Sequence, residues 1–177
     1  ELPPAVANAD ALLPLFKRML FVRTFDTKAI ALQRTGKLGT YAACLGHEAT
    51  HVGIGASMQP EDVFAPSYRE YGAQFERGVK PRDVLMYWGG DERGNDFEIP
   101  RNDYPWCVPI STQCLMASGA ALAFKLRGEN RVAVATCGDG GSSKTDFYAA
   151  INSAGAFSLP LVLCVINNGW AISVPRK

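Results

Sequence analysis

Asp139 stands between Gly138 and Gly140 at the end of an apolar run over residues 132–137, and Asn167-Asn168 ends a second apolar run over 161–166. A carboxylate, a carboxamide and a glycine turn are the groups that seat a divalent cation against phosphate oxygens. Hard oxygen ligands suit such an ion, and glycine-rich backbone presents N–H groups to the anion. Gly138 and Gly140 read as positions open to positive φ or to close approach by a bound group. Gly141, Ser142 and Ser143 read as the opening of a helix, whose N-terminal dipole favours phosphate. Alone, Asp139 is more commonly an ordinary helix cap or turn residue, and the asparagine pair an ordinary turn. Their placement at two consecutive strand ends points to a shared site.

The elements that must hold these residues follow from hydrophobic spacing. Two apolar runs bracketing a segment of helical period make a β-α-β unit, and open parallel sheets bind ligands outside the C-terminal ends of their strands. Upstream, Asp10 is expected to cap a helix over 11–35, with Leu12, Leu15, Phe16, Met19, Leu20 and Phe25 on one side. A glycine-rich loop follows. A second helix is expected from about His47, its Gly53, Gly55 and Ala56 permitting close packing. Residues 63–65 read as a short strand ahead of the polar cluster Ser67-Tyr68-Arg69-Glu70. Residues 81–88 read as a short helix behind Pro81, a residue suited to a first helical turn.

The aperiodic stretch 89–109, rich in Gly, Pro, Asn and Asp, has the character of a functional or mobile loop. Helix is expected again over 113–125, and neither helix nor strand after Asn168. The fold class is therefore α/β, a mostly parallel sheet flanked by helices. A doubly wound sheet normally continues past such a point, so residues 1–177 are expected to form the N-terminal portion of one longer domain.

Composition narrows the function classes. A hydrophobic content of 47% and a mean hydropathy of −0.02 fit a globular chain and not a membrane protein; a spanning helix needs roughly 20 apolar residues in a row. With 18 Lys and Arg against 17 Asp and Glu, there is no cationic surplus to neutralise nucleic-acid phosphates. Five cysteines without a C-x-x-C pair and only two histidines do not form a zinc pattern. Cysteines set inside apolar strands behave as small hydrophobes, and the odd count favours a reducing compartment. The glycine turn also lacks the G-x-G-x-x-G spacing of dinucleotide sites.

The Gly138-Asp139-Gly140 turn, the helix-bearing spacer and Asn167-Asn168 resemble the thiamine diphosphate motif. Flanking segments sharpen the likeness. Leu45-Gly46-His47-Glu48-Ala49, Pro66-Ser67-Tyr68-Arg69-Glu70, Pro109-Ile110-Ser111-Thr112-Gln113 and the run from Asn167 to Pro175 resemble, in order, the α subunit of 2-oxo acid dehydrogenase E1 components. The likeness implies that Asp139, the Asn168 side chain and the Trp170 carbonyl ligate Mg²⁺. It implies that Gly140 and Gly141 offer N–H groups to the diphosphate, which Tyr68 and Arg69 also reach. Arg suits that role because its planar fork binds phosphate in two places. Val108 and Ile110 would make backbone contacts to the aminopyrimidine ring.

The activity implied is thiamine diphosphate- and Mg²⁺-dependent oxidative decarboxylation of a 2-oxo acid, with acyl transfer to the lipoyl domain of E2. Pyruvate is the first reading, since Ser67 stands where branched-chain members tend to carry Gln; branched-chain 2-oxo acid and acetoin dehydrogenases, or a non-catalytic fragment, are the alternatives. The implied partner is an E1 β subunit in an α2β2 assembly, which supplies the glutamate that activates the cofactor. By the same likeness Glu48 is not that glutamate, and the catalytic-loop histidine lies beyond Lys177; His47 reads as a structural or loop residue, since a general base must reach a defined proton. Compartment follows source: cytoplasmic in a bacterium, mitochondrial matrix in a eukaryote. Lys144-Thr145, Ala149 and Ala42 depart from common family residues, and none of them is a metal ligand.

Overall fold

The computed structural model describes residues 9–175, and these divide into two compact units, one of residues 9–58 and 69–99, the other of residues 59–68 and 100–175. The first unit holds α1 (Ala9–Arg34), α2 (Glu48–Ser57), α3 (Tyr71–Arg77) and α4 (Pro81–Trp88), with a 3-10 turn at Glu92–Asn95; residues 35–47 form a long connection between α1 and α2, and only α3 and α4 are joined by a short turn. Asp10 lies inside the first turn of α1 and does not cap it. The apolar stripe also differs from expectation. Val22, Phe25, Asp26 and Ala29 are the buried positions, whereas Phe16 and Leu20 are exposed. Asp26 displaces the apolar reading because its carboxylate has buried work: it accepts from the Tyr41 hydroxyl at 2.9 Å and the Cys44 N–H at 2.8 Å.

Helix α3 was not legible, since its Gly72 and Gln74 break any apolar period; the structure nonetheless buries both. Gly72 is needed there, because a Cβ would stand 2.8 Å from that of His51. Of the small residues in α2, Gly55 is the one that matters. A Cβ on it would lie 2.5 Å from the Glu76 Cβ and 2.7 Å from the Ala73 carbonyl, whereas one on Gly53 would meet nothing within 4 Å. Gly55→Ala is therefore expected to destabilise by about 1–3 kcal/mol through overpacking. Gly53→Ala should stabilise by roughly 0.5–1 kcal/mol through helix propensity. Urea unfolding of the two variants reads the difference.

The second unit holds the parallel sheet. Strands β1 (Val63–Ala65), β2 (Ala133–Gly138) and β3 (Leu161–Ile166) pair in the order β1-β2-β3, all parallel. Helices α5 (Thr112–Arg127) and α6 (Thr145–Phe157) pack on it through small side chains. Ala133, Ala135 and Cys137 alternate on one face of β2 and meet Cys114, Ala117, Ala121 and Phe124 of α5 and Phe147 and Ala150 of α6. The α5 residues recur at the helical period, so one stripe is buried. A hairpin of β4 (Trp170–Ala171) and β5 (Val174–Pro175) follows β3, where no further strand was expected.

Residues 89–99 of the aperiodic stretch belong to the first unit, and the rest, from residue 100, is anchored in this one. Asp103 accepts from the Phe64 N–H at 2.9 Å, the Tyr104 N–H donates to the Phe64 carbonyl at 2.9 Å, and Trp106 and Cys107 are buried. Among the described residues no helix is long and apolar enough to cross a membrane.

Candidate functional site

The C-terminal ends of the three parallel strands lie along one edge of the sheet. Gly138 pairs in register with Ile166, so Asp139 and Asn167 leave adjacent strands side by side, and Pro66-Ser67-Tyr68 leave β1 at the same edge. The chain after β2 turns as a 3-10 helix, Asp139–Ser143, closed by the Ser142 hydroxyl donating to the Asp139 carbonyl at 2.7 Å. This corrects the expectation that Gly141 to Ser143 open the helix. Lys144 takes extended backbone, and α6 begins only at Thr145. Nor do Gly138 and Gly140 take positive φ. Gly140 serves close approach instead: its Cβ would sit 2.7 Å from that of Ala171 in the hairpin.

At the end of β3, both asparagines form turns on themselves. Asn167 Oδ1 accepts from the Gly169 N–H at 3.0 Å, and Asn168 Oδ1 from the Trp170 N–H at 2.9 Å. Gly169 is in the left-handed region at φ 76°, where glycine alone is unstrained. The 3-10 turn, the asparagines and the hairpin enclose a cleft of about 430 Å³ lined by Asp139, Gly140, Ser142, Ser143, Val165 and Asn167, with Ala171, Val174 and Pro175 opposite. Asn168 and Trp170 are exposed beside it. Asn167 and the two serines stood in the motif without a ligand role of their own, and the structure makes them lining residues of the cleft.

The donor set fits a hard divalent cation. Among the described residues the Asp139 carboxylate has no hydrogen-bond or ion-pair partner, although it lines the cleft. Asn168 Oδ1 accepts one hydrogen bond and, as a carbonyl oxygen, has a second lone pair. Trp170 faces Pro175 across the hairpin, and proline has no N–H to give the Trp170 carbonyl. Carboxylate, carboxamide and backbone oxygens together suit Mg²⁺ better than a soft metal. Among the described residues no group of three or more His, Cys, Asp or Glu could hold a metal.

The segment before α5 is tied to this edge by three consecutive side chains. The Ser111 hydroxyl donates to the Gly141 carbonyl at 2.7 Å, the Thr112 hydroxyl to Asp146 at 3.0 Å, and Gln113 Nε2 to the Thr136 carbonyl at 2.6 Å. Val108 and Ile110 precede them and are exposed. Tyr68 belongs to this unit, whereas Arg69 begins a segment of the helical unit; there its guanidinium donates to the Ala43 carbonyl.

In the helical unit, His47 stands at the N-cap position of α2. Glu48 accepts from Arg23 Nε at 2.5 Å and from the Gly46 N–H at 3.0 Å. The Arg23 hydrogen bond is the main reason its carboxyl is held down to about 2. Glu48 thus has a structural role, whereas the His47 side chain makes no cap hydrogen bond. All five cysteines are free, and all but Cys164 are buried.

The family model for the dehydrogenase E1 component matches residues 16–177. An Acholeplasma laidlawii protein named pyruvate dehydrogenase E1 component subunit alpha is 39% identical, over 95% of this chain and 49% of its own length. A Mycobacterium tuberculosis protein named 3-methyl-2-oxobutanoate dehydrogenase subunit alpha is 41% identical, over 91% of this chain and 44% of its own. The chain thus spans about half the length of the curated relatives it matches. A solved chain from Mycobacterium smegmatis, provisionally described as a thiamin diphosphate-dependent enzyme, overlaps with a TM-score of 0.46 and 21% identity over 72% of this chain and 21% of that one. With a family match running from Phe16 to the last residue, the chain belongs to the dehydrogenase E1 component family.

Proposed function

We propose that this chain is the cofactor-tail half of a pyruvate dehydrogenase-type E1 α subunit. In this reading Asp139, the Asn168 side chain and the Trp170 carbonyl hold Mg²⁺, and Gly140, Gly141, Tyr68 and Arg69 hold the diphosphate of thiamine diphosphate. The single observation that carries it is the Asp139 carboxylate, unpartnered among the described residues, in a cleft between two parallel strand ends. The cofactor, when bound, supplies the carbanion chemistry of 2-oxo acid decarboxylation. The chain's own residues bind and orient: Asp139, the Asn168 side chain and the Trp170 carbonyl fix the ion, and Val108 and Ile110 lend backbone to the aminopyrimidine. An E1 β subunit completes an α2β2 assembly, and the lipoyl domain of E2 takes the acyl group. The odd cysteine count and the cysteines set in apolar strands support a reading of a reducing compartment, cytoplasmic or mitochondrial by source.

The second reading, a branched-chain E1 α, is favoured by the Mycobacterium tuberculosis relative. Full-length protein reconstituted with its β subunit is expected to turn over pyruvate at least about tenfold faster than 3-methyl-2-oxobutanoate, a margin that pocket differences of a few methylenes supply. The reverse ratio would transfer the assignment to the branched-chain class.

A further inference from the structure

Ser111 has an unusual combination of properties. It is 1% exposed, it is not glycine, and its backbone is left-handed at φ 65° and ψ 0° immediately before α5. Non-glycine residues held in that region carry strain that the surrounding structure must sustain, and such residues gather at functional sites. Here the sustaining contact is the buried 2.7 Å hydrogen bond from the Ser111 hydroxyl to the Gly141 carbonyl. Gly141 is shaped for it: a Cβ at that position would lie 2.6 Å from the Ser111 hydroxyl oxygen and 3.2 Å from Ile110 Cγ2. The same carbonyl accepts the Lys144 N–H at 3.1 Å, so one oxygen anchors both ends of the turn's exit.

We infer that Ser111 is a positioning residue: its hydroxyl clamps the Asp139–Ser143 turn to the segment carrying Ile110 and so fixes the backbone of Gly140 and Gly141 for an anionic ligand. The clamp rests on the reading of this turn as the diphosphate seat. Thr112 and Gln113 stitch the next two positions to Asp146 and Thr136, which leaves Ser111 as the link to the glycines themselves. A hydroxyl is required, because alanine offers no donor and glycine would relax the strained φ.

Two substitutions separate clamping from mere stability. Ser111→Ala keeps a Cβ in the strained region and loses the donor; Ser111→Gly loses the donor and relieves the strain. In full-length protein assembled with its β subunit, both are expected to weaken Mg²⁺–thiamine diphosphate binding by about fivefold to tenfold in calorimetry, the size of one lost hydrogen bond. Ser111→Gly should do so with a melting temperature at or above that of the wild type. Hydrogen exchange of the Lys144 amide, measured without ligand, should quicken in both variants. Wild-type affinity in Ser111→Gly, or unchanged Lys144 exchange, overturns the clamp. If the wild-type protein binds no Mg²⁺–thiamine diphosphate, the cofactor reading fails instead, and the Lys144 exchange still decides whether Ser111 holds the turn.

Discussion

An Asp139→Ala protein is expected to fold as the wild type does and to bind Mg²⁺–thiamine diphosphate about 100-fold more weakly or worse. Loss of groups that merely support a metal ligand already costs roughly 10–100-fold, and a ligand itself should cost no less. The apo protein should barely register the change, within about 0.5 kcal/mol, as for other substitutions away from structural contacts. The carboxylate has no protein partner among the described residues, so nothing is left unpaired. The contrast is therefore sharp. Saturating cofactor stabilises a native state by roughly 2.7 kcal/mol at a hundred times its dissociation constant, a shift that thermal unfolding resolves in the wild type and should not find in the variant. An equal cofactor-induced shift in both proteins would remove Asp139 from the site.

The helical unit should be acid-labile, and for a reason unconnected with the cleft. His51 is fully buried with no hydrogen bond at either ring nitrogen. Burial first, then the neighbouring His47 and Arg69 charges, pushes its pKa from 6.5 down to about 3, with Glu48 opposing. The unfolded chain therefore binds the proton first. The stability held by the neutral ring is whole above pH 6.5 and drains away as pH falls towards 3. At pH 4 the loss is on the order of 3 kcal/mol, or about 10 °C or more in melting temperature for a domain of this size. Glu48 adds a second stage, because its carboxyl is held down to about 2 chiefly by Arg23. That contribution is present above pH 4.5 and is lost below it. His51→Leu retains the Cβ and comparable volume without the titrating ring, so its melting temperature should fall less than the wild type's between pH 6.5 and 4.5, the remaining slope coming from His47, whose pKa burial also lowers. Parallel declines in variant and wild type over that interval would acquit His51.

The β-α-β unit was legible because it rests on local signals: apolar runs of strand length, a helical period between them, and polar residues at both strand ends. Residues 161–166 and 81–88 match their elements, and β2 is displaced from its expected bounds by one residue. The place of Asp139 at a strand end was legible for a related reason, since the apolar run stops at a glycine. The failures share a cause. Gly72, Gln74 and Asp26 are buried by partners distant in sequence, and no period announces a polar residue that will be satisfied from another loop. The hairpin at Trp170 to Pro175 was missed because two-residue strands carry no pattern at all.

The sequence by itself determined the family, the strand ends and the identity of the candidate ligands, because those depend on residue types at fixed spacing. Tertiary structure alone decided how the glycines work. Gly140 and Gly141 are glycines because Ala171 and Ser111 crowd them, not because their backbone needs positive φ. It also decided that a 3-10 turn, and not the helix itself, follows Asp139, and that Ser111 is the residue holding that turn. Each of these turns on distances between atoms far apart in the chain, and spacing along a sequence does not encode such distances.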